Sequence, residues 1–301
     1  MNFRLATAAW KIRPARRDSS YFAHFYDIVS EAHDEGASVV VVPELHVLEL
    51  LPLVPDLDVR NAAKYLIQFS EAVEGWIKRI SDSSGMIIVG GSHFKETPLG
   101  IKNVCAIGVP GQQITFSEKN KLTAYERQVW DIQPGYGLSR LPNHLGVTVC
   151  YYSEFPEAGR SLAEAGVLVQ CVPSWTETKR GFQRVRWSCQ ARAVENQNYV
   201  IHSSLIGELG YEPVPHTYGS AAIIAPSVEP FPINSILRET PLNEEGIVFA
   251  DLDLDLLAEA RSSGEVTNWR DRGAESWEVL GQPLEPSQPR LFGPQTDENL
   301  N

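Results

Sequence analysis

Three ionisable residues close apolar runs in the order Glu44, Lys119 and Cys150, a set of types able to carry out acyl transfer. Glu44 ends SVVVVPELHV, and a carboxylate at the end of a buried strand is costly unless it is paired or used. Lys119 ends the strand-like run ITFSEK, with Glu126 following in KNKLTAYE. A lysine near a reacting carbonyl can hold the oxyanion that develops there. Cys150 lies in LGVTVCYYSEFPEAG, in a sharp strand-to-helix connection. Such a connection presents sulfur at a sheet edge, as a nucleophile elbow does. A helix N-terminus and a nearby cation would lower the thiol pKa below about 8.5. Taken singly, each residue has a plainer reading: a surface glutamate, a solvated charge cluster, a core thiol.

Positioning such groups needs strands that end near one another. Apolar runs fall at Leu5–Ala9, Ser38–Val42, Met86–Val89, Val104–Val109, Val147–Cys150, Val167–Val172, Tyr199–His202 and Ala221–Ala225. Several are apolar on both faces, the pattern of strands covered on both sides. Helical stretches are expected at Ser20–Glu35, Arg60–Ser83, Glu157–Ala165 and Phe182–Glu195. In the last, Trp187, Gln190, Ala191 and Val194 share one face. Gly36, Gly85 and Gly166 are expected C-caps. The order of elements predicts one α/β domain with its strands sandwiched by helices. Its expected span is 1–275. A Pro-, Gln- and Asn-rich C-terminal tail is expected over 276–301.

Of the 301 residues, 43% are hydrophobic and 21% charged, which excludes a mainly disordered chain. The formal charge of −12 argues against a nucleic-acid or anionic-membrane surface. No apolar window reaches the roughly 18 residues of a membrane span. The N-terminal segment reads as the start of a strand rather than a signal peptide. The four cysteines form no CxxC or Cys/His metal spacing, and the histidines form no HExxH set. Cys105, Cys171 and Cys189 read as reduced core thiols in a cytoplasmic protein. No metal and no cofactor are expected.

The set of motifs in order, VVPEL, EKNKLTAYERQVW, CYYSEFPE, VPSW and RWSCQARAVENQNYV, resembles the nitrilase, or carbon–nitrogen hydrolase, superfamily over roughly residues 3–260. That resemblance implies a four-layer α-β-β-α sandwich and a Glu–Lys–Cys triad of Glu44, Lys119 and Cys150. Lys121 stands where the family often has histidine, so Lys119 and Lys121 compete for the lysine role. The K…ERxxW form, with Arg127 and Trp130, favours Lys119. Glu126 maps to the family's second glutamate, orienting the lysine or the substrate. Tyr152 and the Tyr151-Tyr152 pair depart from the Asp of many amidases and from the Trp-Glu of nitrilases. The segment 173–200 is similar to a little-characterised branch, some of whose members add an acetyltransferase domain. Here the hydrolase part is expected to stand alone.

The resemblance implies hydrolysis of a small amide or N-carbamoyl compound through a cysteine thioester. The backbone N–H of Tyr151 would help hold the oxyanion. Glu154, Trp175 and Thr176 are candidate substrate contacts. One arginine among Arg180, Arg184 and Arg186 is a candidate for binding a substrate carboxylate. Glu195 is expected to have a structural role, pairing with Arg192 or capping backbone. A nitrilase, an amide acyltransferase and a non-catalytic scaffold are the competing readings. A homodimer or larger homo-oligomer is the implied assembly.

Overall fold

The chain builds its elements from short both-face-apolar strands and the helices that cover them. The computed structural model describes residues 2–54 and 57–273. Its strands are β1 (Asn2–Ile12), β2 (Val39–Val41), β3 (Ile87–Thr97), β4 (Gly100–Gly108), β5 (Thr115–Glu118), β6 (Leu145–Val147), β7 (Val169–Trp175), β8 (Tyr199–Gly207), β9 (Ala222–Ile224), β10 (Ile236–Glu239) and β11 (Gly246–Asp253). Its helices are α1 (Asp18–Asp34), α2 (Ala62–Leu66), α3 (Ser70–Ser84), α4 (Ala124–Gln128), α5 (Pro156–Glu164), α6 (Lys179–Asn196), α7 (Leu254–Ser263) and α8 (Asn268–Asp271). Residues up to Asp271 form one compact unit. The tail expected over 276–301 lies outside the described residues.

Strand order explains the sandwich. Parallel pairing joins β1 to β2 and β2 to β3, and antiparallel pairing continues through β4 to β5. A second set runs from β6 through β7 to β8 in parallel, then antiparallel to β9 and β10. The two sets meet where Ala9–Ile12 of β1 pairs with Ser204–Gly207 of β8. Period-2 alternation then divides each strand between two faces. Ala6, Ala8, Val40, Val42, Ile88 and Ala106 pack with Phe25 and Val29 of α1 and Ile77 and Ile80 of α3. Their neighbours Leu5, Val39, Val41, Ile87, Val89 and Ile107 share a second core with Leu145, Val147, Val169 and Ile201 of the other set. Val185, Cys189 and Ala193 of α6 also join that core. The layers are therefore helix, sheet, sheet, helix. Among the described residues no helix is long and apolar enough to cross a membrane.

Four expectations need correction or completion. The run Val147–Cys150 is not one strand: β6 stops at Val147, and Cys150 opens a 3-10 turn, Cys150–Glu154. The helix expected over Arg60–Ser83 is broken into α2, a 3-10 turn and α3. There Gln68 Nε2 donates to the Tyr65 carbonyl at 2.9 Å, an acceptor that a continuous helix would give to residue 69. The α6 stripe of Trp187, Gln190, Ala191 and Val194 faces outward, with Trp187 63% exposed. Its buried side instead carries Phe182, Val185, Arg186, Cys189, Arg192 and Ala193. Strands β10 and β11 were not among the expected runs. The caps behave as expected, with Gly36, Gly85 and Gly166 all at positive φ.

One buried ion cluster ties α1 to the rest of the fold. His24 Nδ1 faces both oxygens of Glu49 at 3.0 and 3.1 Å, and Nε2 faces Glu245 Oε1 at 3.0 Å. A neutral imidazole has one N–H, so serving both carboxylates requires the doubly protonated ring. Burial alone would lower the His24 pKa; hydrogen bonds to Glu245 and Glu49 outweigh burial and the repulsion of Arg13, and hold it above its ordinary value. The stabilisation is therefore full below about pH 6.5 and is lost as pH rises through the higher folded value. His24→Leu is expected to cost about 1.5–3 kcal/mol at pH 6, with the deficit shrinking toward alkaline pH. Urea midpoints of both proteins across that range check it; parallel curves would remove the charged imidazole.

Candidate active site

Two left-handed backbone positions sit beside the site. Leu45, immediately after Glu44, has φ +50°, and Cys150 has φ +46°. Such values in residues other than glycine cost about 1–3 kcal/mol and persist only where the surroundings impose them. At Leu45 the chain turns out of the β2 line, with Leu45 N–H donating to the Ser92 carbonyl at 3.0 Å. At Cys150 it turns out of the β6 line into the 3-10 segment.

The turns bring the expected residues into one cavity of about 240 Å³, lined by Glu44, Lys119, Glu126, Cys150, Tyr151, Glu154, Trp175 and Thr176 among others. Lys119 Nζ donates to Glu44 Oε1 at 2.7 Å and to both oxygens of Glu126 at 2.9 Å. Burial would lower the lysine pKa, but Glu126, Glu44 and Cys150 outweigh it and hold it well above the usual range. Lys119 is therefore a fixed cation. Lys121 is exposed, with its ammonium over the Phe155 ring. The geometry thus separates the two lysines.

Glu126 is locked by the capping box of α4. Thr123 Oγ1 accepts from Glu126 N–H at 3.2 Å, and Glu126 Oε2 accepts from Thr123 N–H at 2.8 Å. Burial pushes its pKa up, but Lys119, Asn103 and Thr123 together bring it below the ordinary value. Glu44 is different. Burial pushes it up and Glu126 adds to this, and the opposing pull of Lys119 does not cancel them. Glu44 Oε2 accepts the Trp175 backbone N–H at 3.0 Å, and Oε1 accepts from Asn103 Nδ2 at 3.0 Å.

The Cys150 thiol donates to the Trp175 carbonyl at 3.4 Å. Its pKa is not lowered, as the sequence pattern suggested. Burial and the Glu44 carboxylate push it up, against Lys119, and it stands well above the ordinary thiol value. Cys105, Cys171 and Cys189 are fully buried in the core, and burial pushes the last two up to about 12.

The remaining candidates divide. Trp175 stacks on Trp130 with centroids 5.7 Å apart and an interplanar angle of 16°. Thr176 Oγ1 donates to the Tyr218 carbonyl at 2.7 Å, so its hydroxyl proton is already committed. Glu154 lines the cavity and stands 3.6 Å from Arg184 Nε. Of the three arginines, Arg184 lines the cavity. Arg186 is buried against His202, Ser220 and Glu239, and Arg180 is exposed. Arg192 does contact Glu195, and its Nε donates to the Ser153 carbonyl at 3.3 Å, bracing the turn after Cys150. Asn103 was missed. Its amide bridges Glu44 and Glu126, each at 3.0 Å. A fully buried asparagine just ahead of the apolar run of β4 gives little signal in the sequence.

A sandwich of this topology with a buried carboxylate–ammonium–carboxylate set beside a thiol defines the class: the chain belongs to the carbon–nitrogen hydrolase family, whose model matches residues 5–262. It is 31% identical over 263 residues to a probable hydrolase, YhcX, of Bacillus subtilis, covering 85% of this chain. The chain spans only 50% of that relative's length. It is also 24% identical over 285 residues to an omega-amidase of Danio rerio, covering 89% of this chain and 94% of that protein. Among solved structures it resembles a Saccharomyces cerevisiae member of branch 10 of the nitrilase superfamily. There the TM-score is 0.73 at 22% identity, over 90% of this chain and 97% of the other.

Proposed function

We propose that this hydrolase is an amidase that cleaves a small amide, or an N-carbamoyl compound, through a thioester on Cys150. The observation that carries the reading is Lys119, held between Glu44 and Glu126 on the wall of the cavity that Cys150 also lines. Glu44 takes the thiol proton, a transfer favoured by its own raised affinity for protons. The thiolate attacks the amide carbon, forming a C–S bond and an oxyanion. The Lys119 ammonium and the Tyr151 backbone N–H hold that oxyanion, and each such donor is worth about 2.7–4 kcal/mol. Glu44 returns the proton to the departing amine or ammonia. Water, deprotonated by Glu44, then hydrolyses the thioester. Glu126, kept ionised, positions Lys119 rather than exchanging protons.

On this reading the thiol rests protonated, and its nucleophilicity appears only when the proton moves to Glu44. The chain's small cavity, below the roughly 300 Å³ of drug-sized pockets, suits a short substrate. A screen for ammonia release over amides, N-carbamoyl compounds and nitriles tests the reaction. Ammonia and acid from an amide is the expected outcome; release from nitriles alone would replace amidase by nitrilase. Iodoacetamide is expected to label Cys150 well before Cys105, Cys171 and Cys189, since among the cysteines only Cys150 lines this cavity. Peptide mass spectrometry over time reads the order. Equal rates at all four would remove the distinction on which the mechanism depends.

A further inference from the structure

Beyond the reacting groups, the cavity wall carries charges that the chemistry does not use. Glu154, Glu177 and Arg184 all line it. Arg184 has 54% of its side chain exposed and meets Glu154 only at 3.6 Å. Among the described residues the Glu177 carboxylate has no hydrogen bond and no ion pair, yet it is half-buried. Burying a carboxylate without a partner is unfavourable. The nearest influences on it are mixed: Glu212 repels it and His216 attracts it, and both are exposed. Burial holds Glu177 above the ordinary carboxylate range, with Glu212 adding to the effect. Burial likewise raises Glu154, and Arg184 does not cancel it. Lys119 offers no surplus charge to the outer wall, since Glu44 and Glu126 already flank it. The outer cavity therefore has two half-buried carboxylates against one solvated guanidinium.

Resting on the amidase reading, we infer that the substrate carries a protonated amine at the end away from the scissile bond, received by Glu177. A cation there supplies the missing partner of Glu177. The exposed Glu212, whose charge reaches Glu177, adds a field that favours cations over anions there. An anionic substrate would meet only Arg184, against two carboxylates.

Three amides of similar length separate the cases: γ-aminobutyramide, valeramide and glutaramate. The expected kcat/KM for γ-aminobutyramide exceeds that for valeramide by about tenfold or more, through KM, and glutaramate falls below both. In Glu177→Gln the cationic-to-neutral ratio is expected to collapse toward one, and Glu177→Asp to keep part of it. A ratio near one in the unaltered protein, a ratio unchanged in Glu177→Gln, or a preference for glutaramate would overturn the inference. Binding is read separately, by protection of Cys150 from iodoacetamide. Butylammonium is expected to protect at a concentration about tenfold lower than butanol or butyrate. Equal protection overturns the charge preference even if amides are cleaved. Selective protection with no amide cleaved keeps it and removes the amidase reading instead.

Discussion

Cys150→Ala is expected to lower amide turnover about a millionfold, the loss typical of removing an acyl-transfer nucleophile. The fold should survive. Cys150 makes one long hydrogen bond, to the Trp175 carbonyl, and alanine meets the same backbone demand at φ +46°. The urea midpoint is therefore expected to move by less than about 1 kcal/mol of stability. The comparison is ammonia release against denaturation for the same preparation. Activity within about tenfold of the unaltered protein would end the thioester mechanism. Lost activity with a lost fold would not support it, which is why the two measurements belong together.

Lys119→Met has the second large effect, on stability as well as rate. It removes the one cation between two carboxylates that are each almost fully buried. Breaking a buried ion pair from one side costs about 3–5 kcal/mol, because the remaining charge is left uncompensated. Turnover is expected to fall at least about a hundredfold through loss of the oxyanion partner. The sign of the pH effect follows from Glu126. In the unaltered protein its pKa is depressed, so its contribution is present above the unfolded value and is lost as pH falls through the folded one. Without Lys119 the largest cause of that depression is gone, burial outweighs what Asn103 and Thr123 supply, and protonation relieves the buried charge instead. The deficit of the variant should therefore be largest near neutrality and should narrow toward about pH 5. Urea denaturation at both pH values measures it, and a deficit that does not change with pH would sink this account.

Apolar periodicity was enough to find the strands whose residues are buried on both faces, such as Val39–Val41 and Val169–Val172. It did not find β11, where Asp251 and Asp253 interrupt GIVFADLD and most of the strand is only half-buried. Antiparallel pairing along β1 supplies the stabilisation that its pattern lacks. On α6 the polarity signal pointed to the wrong side. Two arginines lie on the buried face because Arg186 and Arg192 find enclosed partners, whereas Trp187 is left outside. The same cause limited the site. Glu44, Lys119 and Cys150 stand out as charged or nucleophilic residues at the ends of apolar runs, and Glu126 by its place in the motif that follows Lys119. Asn103 carries no charge, and its bridge between two glutamates depends on the pairing of β4 with β5, which local sequence does not encode. The Cys150 pKa went astray for a related reason. A nearby lysine is visible in the order of motifs, but the depth of burial is not.

Glu44 leaves the end of β2, while Cys150 and Trp175 leave β6 and β7 of the other strand set. The proposed base and the proposed nucleophile are thus anchored on opposite sides of the inner apolar layer. On the proposed mechanism that layer acts as a spacer, and its thickness bears on the gap across which the proton passes. One peptide region spans the gap: Trp175 receives the thiol on its carbonyl and gives its N–H to Glu44. Thinning or swelling the layer, far from any reacting atom, would detune proton transfer before it loosened the fold. For this chain the hydrophobic interior is a ruler as much as a glue.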